Sequence, residues 1–322
     1  MSLEPSRSRA GTWSPENRSR RGIQREKTYF VRPGIGGCLR PALFFKGLCA
    51  IVLAAGCSPN GQQTFADSAH PAVTPADSVL RLPDRNAGFD YQLGGAYAPP
   101  PRATIIERDR TDKPSGAGYD ICYVNGFQTQ PADSQSFAKQ HPDLVLQAGG
   151  KPLIDQGWPD EYLFDTSTEP KRSALAAIVK PWIDGCKAAG YSAVEIDNLD
   201  SYTRSAASLT AHDNIAMAAK YAQMAHQAGL AIAQKNAAEE SRRLREAGYD
   251  FAIAESCARY SECSSYTAQY PVVLDIEYTD ELGEDAFASA CNSADRAPVM
   301  IMRDHNLVTP ADGGYFYRGC NF

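Results

Sequence analysis

The sequence lacks the short motifs that identify several common classes of enzyme. It contains no G-x-S-x-G elbow of serine hydrolases, no phosphate-binding P-loop and no H-E-x-x-H metalloprotease motif. It also has no C-x-x-C pair, and its five histidines are scattered along the chain. Neither a metal site nor a cofactor is therefore expected. No fixed-period repeat is found either, which excludes a solenoid.

Positive charge is rare outside one end of the chain. Arg and Lys crowd into residues 6–46, whereas the sequence from about residue 84 onward is acidic, and the formal net charge is −6. Nucleic-acid binding usually requires a dense basic face on the folded part, so we expect no nucleic-acid partner. A polycationic ligand would match this charge better. The composition, 43% hydrophobic and 22% charged, is that of a globular protein.

The basic end leads into an apolar run over residues 41–55 that is too short for a confident membrane span. The run ends in Leu53-Ala54-Ala55-Gly56-Cys57, which has the form of a secretory signal and resembles a bacterial lipobox. We expect Cys57 to be lipidated, so that the protein contacts a membrane only through this anchor. An ordinary signal peptide, or an uncleaved apolar tail, is the alternative.

These features predict three parts of the chain. Residues 1–57 form an atypical extension with a signal, residues 58–84 form a flexible tether rich in Pro, Ala and Ser, and residues 85–322 form one folded domain. The product is expected to be exported, either anchored to a bacterial cell envelope or secreted. We expect a monomer.

The nine cysteines fit export. Three lie in the N-terminal extension, which leaves an even set in an oxidising compartment. Six cysteines allow fifteen connectivities, so the sequence does not assign the pairs. Our working hypothesis pairs Cys257 with Cys263, Cys291 with Cys320, and Cys122 with Cys186.

Short apolar runs alternate with helical patterns after residue 85, which is typical of an α/β fold with a parallel sheet. Eight strands are predicted: Phe89–Leu93, Ala103–Glu107, Asp120–Val124, Ala193–Asp197, Leu230–Lys235, Asp250–Glu255, Val272–Glu277 and Pro298–Arg303. Eight such strands in a domain of this length predict a (β/α)8 TIM barrel. Between the fourth and fifth strands, Thr210 and Asp213 predict the capping box of a helix that ends at Gly229.

Two of these strands end abruptly in acids. Glu195 and Asp197 share one side of the fourth strand, and Glu255 ends the sixth directly after an apolar run. In a barrel, the working residues come from the C-terminal ends of strands. Two carboxylates facing each other across a site are the machinery of glycoside hydrolysis. A solvated turn or a helix cap is the alternative interpretation of the acids around Asp197.

The sequence is similar to glycoside hydrolase family 114, the endo-α-1,4-polygalactosaminidases, over about Phe89 to Cys320. The similar stretches are Tyr91-Gln92-Leu93; Gly157-Trp158-Pro159-Asp160-Glu161 with Asp165; Val194 to Asn198 with Asp200 and Tyr202; Ala225-His226, Gly229-Leu230 and Lys235-Asn236; and Glu255-Ser256-Cys257 through Tyr260, Glu262, Cys263 and Tyr266. Departures occur at Glu107-Arg108-Asp109 and at Tyr123 to Gln128. These departures concern the subsites more than the chemistry.

The resemblance implies a retaining, endo-acting barrel enzyme for a cationic, galactosamine-rich polysaccharide. It places the catalytic acids on Asp197 as nucleophile and Glu255 as acid/base. With the strand-end pattern, it gives the following candidate substrate-binding residues: Asp90, Tyr91, Asn125, Glu195, Asp200, Tyr202, Lys235, Asn236, Tyr260, Glu277 and Tyr278.

Two other functions could use the same residues. A surface lipoprotein that has lost catalysis could use the same groove only to hold a polysaccharide, although retention of both acids speaks against it. A polysaccharide deacetylase would ordinarily need a metal held by His and Asp, which the scattered histidines do not favour.

Overall fold

The computed structural model describes residues 80–320, and every structural statement below concerns those residues. The predicted lipobox with Cys57, and most of the predicted tether, lie outside them. The strands are β1 Gly88–Gln92, β2 Ala103–Asp109, β3 Tyr119–Asn125, β4 Gln147–Ala148, β5 Lys151–Pro152, β6 Ala193–Asp197, β7 Ala231–Lys235, β8 Phe251–Glu255, β9 Val273–Tyr278, β10 Val299–Arg303 and β11 Tyr317–Gly319.

Seven α-helices occur in the same part of the chain. They are α1 Ser134–Gln140, α2 Glu169–Ala189, α3 Ala211–Gln227, α4 Ser241–Glu246, α5 Cys257–Tyr260, α6 Cys263–Thr267 and α7 Glu284–Ala290. Short 3-10 helices follow β6 at Leu199–Arg204 and β7 at Ala238–Glu240. Among the described residues, no helix is both long and apolar enough to cross a membrane.

Eight parallel strands form the sheet in the order β1-β2-β3-β6-β7-β8-β9-β10, and each corresponds to a predicted strand. The prediction of a (β/α)8 barrel is confirmed. The last strand, β11, is antiparallel to β10, and β4 pairs with β5 apart from the barrel. These short strands were not predicted.

The barrel closes at the seam between its first and last parallel strands through a side chain. The Arg303 guanidinium, fully buried at the end of β10, donates to Asp90 Oδ1 at 3.2 Å and to the carbonyl oxygen of Tyr91, both on β1. It also donates to the Phe316 carbonyl oxygen at 3.0 Å. Arg303 therefore ties β1 to β10 where the strand ladder is not continuous.

Alternation along the strands separates two apolar cores. The barrel interior holds alternate residues such as Ile105, Ile253 and Ile276. Their neighbours, such as Val194 and Ala252, point outward and pack with the helices. Period-two alternation thus decides which strand residues can reach the open end of the barrel from inside.

Helix α3 begins as the sequence predicts. The Thr210 side chain accepts from the Asp213 N–H while Asp213 accepts from the Thr210 N–H, which completes the capping box. Ala218, Ala222 and Ala225 are buried against the barrel. The helix therefore packs behind β6 and β7 and fixes the strands that carry Asp197 and Lys235.

The folded part begins slightly earlier than the predicted boundary at residue 85. The Tyr119 hydroxyl donates to the Arg81 carbonyl oxygen at 2.8 Å. Leu82 packs against the interior core. Residues 81 and 82 therefore contact the barrel rather than belonging to a free tether.

The six cysteines outside the N-terminal extension form three disulfide bonds in the pairing of our working hypothesis. Cys122–Cys186 joins β3 to α2 across 64 residues of sequence. Cys257–Cys263 joins the first residues of α5 and α6 across only 6 residues, and Cys291–Cys320 links the residue after α7 to the residue after β11 across 29. The last bond anchors the C-terminal strand.

Removing the longest of these crosslinks is expected to cost the most stability. A disulfide restricts the unfolded chain more when it closes a longer loop. The Cys122→Ala/Cys186→Ala variant should lose about 4 kcal/mol of unfolding free energy, against about 2 kcal/mol for Cys257→Ala/Cys263→Ala. Urea unfolding measures both. A larger loss for the short loop would show that native-state contacts, not loop length, dominate.

Candidate active site

Several polar side chains face the interior at the open end of the barrel. Each lies two residues after an apolar interior residue: Tyr123 after Ile121, Glu195 after Ala193, Lys235 after Ala233, Glu255 after Ile253 and Tyr278 after Ile276. Asp197 continues the same face of β6 by one further alternation. The C-terminal ends of parallel strands therefore bring these groups together.

Asp197 accepts hydrogen bonds from three directions. The Tyr123 hydroxyl donates to Oδ2 at 2.8 Å, and the Asn198 N–H donates to Oδ1 at 2.6 Å. Lys235 Nζ lies 3.4 Å from Oδ1. The side chain keeps 17% of its surface exposed, so this carboxylate is oriented from below and open to a ligand from above.

Glu255 is held in a similar way on the other side of Lys235. The Asn236 amide donates to Oε2 at 3.0 Å, and the Tyr278 hydroxyl donates to Oε1. The Glu255 N–H in turn donates to Asn236 Oδ1 at 2.8 Å. With Lys235 Nζ 3.4 Å from Oε2, and 31% of its side chain exposed, Glu255 is the more accessible of the two acids.

The backbone is strained directly after each of these strands. Asn198, Asn236 and Ser256 adopt φ values of 63°, 50° and 60°, in the left-handed region that non-glycine residues rarely occupy. Strained positions of this kind cluster at functional sites, where the surrounding structure holds them in place. Here each one directly follows Asp197, Lys235 or Glu255, and Lys235 contacts both of these acids.

Lys235 is the electrostatic centre of the site. Its ammonium group is 3% exposed and lies 3.4 to 3.5 Å from Asp197, Glu255 and Glu195. Burial alone would lower the pKa of Lys235, but the three carboxylates outweigh it and raise that pKa well above its usual value. Lys235 is therefore a permanent cation, and it does not face solvent as a substrate-binding side chain would.

The charge of Lys235 decides the protonation of Glu255. Burial on its own would raise the pKa of Glu255. The charge of Lys235 and the hydrogen bonds from Tyr278 and Asn236 outweigh it, and lower the pKa of Glu255 to about 2. Glu255 is thus ionised in the open site at neutral pH.

Three of the acids predicted to bind substrate have no exposed surface. Glu195 has no exposed surface and lies beneath Asp197. Asp90 is fully buried at the barrel seam, where it accepts from Gln92, Tyr97 and Arg303. Both predictions are wrong, because one acid lies a layer too deep and the other points out of the barrel.

Glu277 is the third acid that was wrongly predicted to bind substrate, and the orientation of its neighbour Tyr278 explains why. Tyr278 faces inward to Glu255, so alternation turns Glu277 outward. There Glu277 Oε1 accepts from the Ala258 N–H at 2.7 Å and the Arg259 N–H at 3.3 Å. Asp275, on the same face, accepts from the Cys257 N–H at 3.0 Å. These two acids hold the turn that follows Glu255.

Because of the Asp275–Glu277 pair, we expect the stability of the fold to decrease as the pH rises. Burial, and then the charge of Glu277, raise the pKa of Asp275 well above its usual value of about 4. The folded protein therefore keeps a proton that the unfolded chain releases, so this stabilisation is lost as pH rises through the raised pKa. Asp275→Asn keeps a donor and cannot titrate. Its melting temperature should fall less between about pH 5 and about pH 9 than that of the wild type.

The matched control for this experiment is Asp184→Asn, on an exposed residue of α2 that pairs with Lys180. It should follow the wild-type pH dependence. If Asp275→Asn also followed it, the pair would not share a proton.

Of the other predicted residues, Tyr91 lies beneath the site, and Asp200, Tyr202 and Tyr260 lie near the rim. Tyr91 is 1% exposed and donates to Glu195 Oε1 at 3.3 Å. Asp200 pairs with Arg204 at 2.8 Å, and the Tyr202 hydroxyl donates to Glu239 at 3.2 Å. Asp200 and Tyr202 lie in the 3-10 helix that follows β6, at the open end of the barrel. Tyr260, after β8, is 60% exposed.

Sequence reasoning missed Tyr123 and Glu161. Glu161 Oε2 accepts from the Asn125 and Gln128 amides, each at 2.9 Å, and burial raises the pKa of Glu161 to about 7. Asn125 also accepts from Asn198, the residue after Asp197. The spacing from Ile121 could have placed Tyr123, whereas Glu161 arrives on a loop that no periodicity describes.

Cys257, Cys263 and Asp275 form a group close enough to hold a metal. The two sulfurs are bonded to each other, so they cannot act as thiolate ligands.

A parallel barrel with two carboxylates facing each other at its open end defines a class of protein, the glycosidases. Within that class, the chain belongs to glycoside-hydrolase family GH114, whose family model matches residues 69–321.

The fold is shared with the solved structure of Ega3. Ega3 from Aspergillus fumigatus, solved in complex with galactosamine, is 21% identical, with a TM-score of 0.59 over 74% of this chain and 96% of Ega3. The glycoside hydrolase domain of PelA from Pseudomonas aeruginosa is 16% identical, with a TM-score of 0.49 over 69% of this chain and 96% of that domain. A comparison with curated proteins gives no sequence match.

Proposed function

We propose that this glycosidase cleaves α-1,4-linked galactosamine-containing polysaccharide within the polymer and with retention of anomeric configuration. The observation that carries this proposal is the pair Asp197 and Glu255, joined through Lys235 at the open end of the barrel. A cationic polymer suits the acids at this end, which include Asp200 and Glu239 on the rim. The complex of Ega3 with galactosamine supports the choice of sugar.

The spacing of the pair supports retention. Lys235 Nζ lies 3.4 Å from Asp197 Oδ1 and 3.4 Å from Glu255 Oε2, so these two oxygens cannot be more than twice that distance apart. Carboxyl groups of retaining enzymes are about 5 to 5.5 Å apart, and those of inverting enzymes about 6.5 to 9.5 Å. This bound, on one oxygen of each carboxyl group, reaches only the lower edge of the inverting range, which must leave room for a water molecule between the general base and the sugar.

In this proposal Asp197 is the nucleophile and Glu255 the acid/base. Asp197 attacks the anomeric carbon while Glu255 gives its proton to the departing glycosidic oxygen, and a water deprotonated by Glu255 then releases the sugar from Asp197. Tyr123 fixes the attacking carboxylate through its 2.8 Å hydrogen bond.

Glu255 must gain a proton before it can act as the acid, because its pKa is about 2 in the open site. A glycan that covers the exposed 31% of its side chain removes water and raises that pKa. A sugar that takes over the hydrogen bonds of Tyr278 or Asn236 removes two further causes of the low value. Substrate binding therefore prepares Glu255 for proton donation.

Two exposed aromatic side chains suit the further length of a polymer. Tyr260, 60% exposed, follows Glu255, and Trp158, 44% exposed, lies on the loop that carries Glu161. Flat aromatic rings exposed beside a cleft provide stacking faces for sugar rings. Their positions on different loops favour a site that binds several sugar units, as endo-action requires.

Incubation with partly deacetylated α-1,4-galactosamine polymer tests the activity. We expect new reducing ends and an early fall in polymer length, whereas exo-action would release small sugars first. A non-catalytic polysaccharide-binding lipoprotein would retard the polymer in a gel and release no ends.

We further propose that the protein acts as a monomer outside the cytoplasm, anchored through lipid on Cys57. Three disulfide bonds support an oxidising compartment. Mass spectrometry of the native mature protein tests the anchor, because a peptide that spans Gly56 and Cys57 would refute it. Light scattering tests the monomer.

A further inference from the structure

Beneath the catalytic pair lies a second layer of acids that do not touch the substrate site. Glu107 on β2 follows the interior residue Ile105 by two positions, so it points into the barrel, as does Glu195 on β6. Neither side chain has any exposed surface. A buried acid is costly unless it is paired or neutral, so their presence under the site requires a reason.

The hydrogen bonds around these acids are incomplete. Glu195 Oε1 accepts from the Tyr91 hydroxyl at 3.3 Å and from Lys235 Nζ at 3.5 Å. Glu195 Oε2 and both oxygens of Glu107 have no hydrogen-bond donor among residues 80–320. Two neighbouring carboxyl groups without donors satisfy their oxygens only if one keeps a proton and donates it to the other.

The balance of charge also requires a proton. Glu107, Glu195, Asp197 and Glu255 lie together in the interior, and Lys235 is the cation whose charge acts on them. Burial raises the pKa of Glu107 well above its usual value, and the charge of Glu195 raises it further. Burial also raises the pKa of Glu195, but only to about 7, because the charge of Lys235 and a hydrogen bond from Glu107 lower it in turn. Glu195 contacts Lys235 directly, whereas Glu107 contacts Glu195. Glu107 is therefore the group that keeps the proton.

We propose that Glu107 is a positioning residue that stays protonated and donates to Glu195, so that Glu195 carries the negative charge that holds Lys235 between Asp197 and Glu255. Tyr91 completes this support by donating to Glu195 from β1. Glu107 thus acts through two other side chains and does not contact substrate. The consequence for turnover rests on the glycosidase activity proposed above, whereas the protonation of Glu107 does not.

Two substitutions at position 107 distinguish the effect of the donated hydrogen bond from the effect of side-chain size. Glu107→Gln keeps a donor for Glu195 and is expected to retain most of the wild-type kcat. Glu107→Leu removes the donor, so Glu195 takes up a proton itself and no longer attracts Lys235. Its kcat should fall by about 10- to 100-fold, with KM changing much less.

A double variant tests whether the two acids act through one charge. Glu195→Gln removes that charge directly and should lower kcat to a similar degree. Glu107→Leu combined with Glu195→Gln should then cost no more than Glu195→Gln alone, because the second change has nothing left to remove. Additive losses would overturn the proposed order of action, as would full kcat in Glu107→Leu or equal losses in Glu107→Gln and Glu107→Leu.

Infrared difference spectroscopy tests the proton without any substrate. The wild type at neutral pH should show the carbonyl stretch of a protonated carboxyl group that is absent from Glu107→Gln, while Glu246→Gln, on an exposed residue of α4, leaves the spectrum unchanged. Absence of this difference would overturn the proposal. Because the spectrum needs no turnover, its failure is distinct from failure of the glycosidase assignment.

Discussion

Asp197→Asn and Glu255→Gln should each lower turnover of a galactosamine polymer by about 10³-fold or more, because each removes a group that makes or breaks a bond in the proposed reaction. Both variants should fold. Lys235 keeps two of its three carboxylate partners in either case, so no buried charge is left uncompensated. Initial rates of reducing-end release and thermal unfolding measure the two effects separately.

The matched control for this pair is Glu246→Gln, which removes an exposed acid that pairs with Arg242 on α4. Its turnover should equal that of the wild type. Near-normal turnover in either active-site variant would remove that residue from the reaction. A large loss of thermal stability would instead show that the acids serve the fold.

Lys235→Met should have the second-largest effect and should lower both stability and activity. The substitution leaves Asp197, Glu255 and Glu195 as neighbouring acids with no cation, and breaking a buried ion pair from one side costs about 3 to 5 kcal/mol. The pKa of Glu255 should rise once the charge that lowers it is gone. Urea unfolding and the pH dependence of kcat/KM measure these consequences.

Lys180→Met provides the comparison, because Lys180 forms an exposed pair with Asp184 along one turn of α2. Surface pairs of this kind contribute about 0.5 kcal/mol or less. Should Lys235→Met prove as stable as Lys180→Met, the acids around Lys235 would have to be neutral in the folded protein, and the charge distribution described above would be wrong.

The sequence was most informative where a physical period was long enough to detect. Each parallel strand has five to seven residues, enough for alternation to be visible, and the strands that carry Asp197 and Glu255 end in these acids. The two-residue strands β4 and β5 carry no period, and β11 depends on its pairing with β10 and on the Cys291–Cys320 bond. Such elements are set by tertiary contacts and could not be predicted locally.

The errors at the site also have physical causes. Glu277 and Tyr278 are adjacent on β9 and cannot both face inward, so strict use of alternation would have excluded Glu277. Glu195 faces inward as predicted, but the sequence does not reveal that it lies one layer below the ligand. Asp90 is bound by Arg303, a residue 213 positions away in the chain. Depth and long-range pairing of this kind require coordinates.

Tyr123 and Glu107 both lie in stretches where the sequence departs from the family pattern. The structure gives these positions definite roles, since Tyr123 donates to Asp197 and Glu107 lies buried beneath it.

The anomeric form of the first product tests the central claim most directly. Nuclear magnetic resonance spectra recorded during the first turnovers of α-1,4-galactosamine polymer would show which anomer of the new reducing end appears before mutarotation. Cleavage through a covalent bond to Asp197 predicts the α-anomer first. Appearance of the β-anomer first, or no new reducing ends at all, would contradict it.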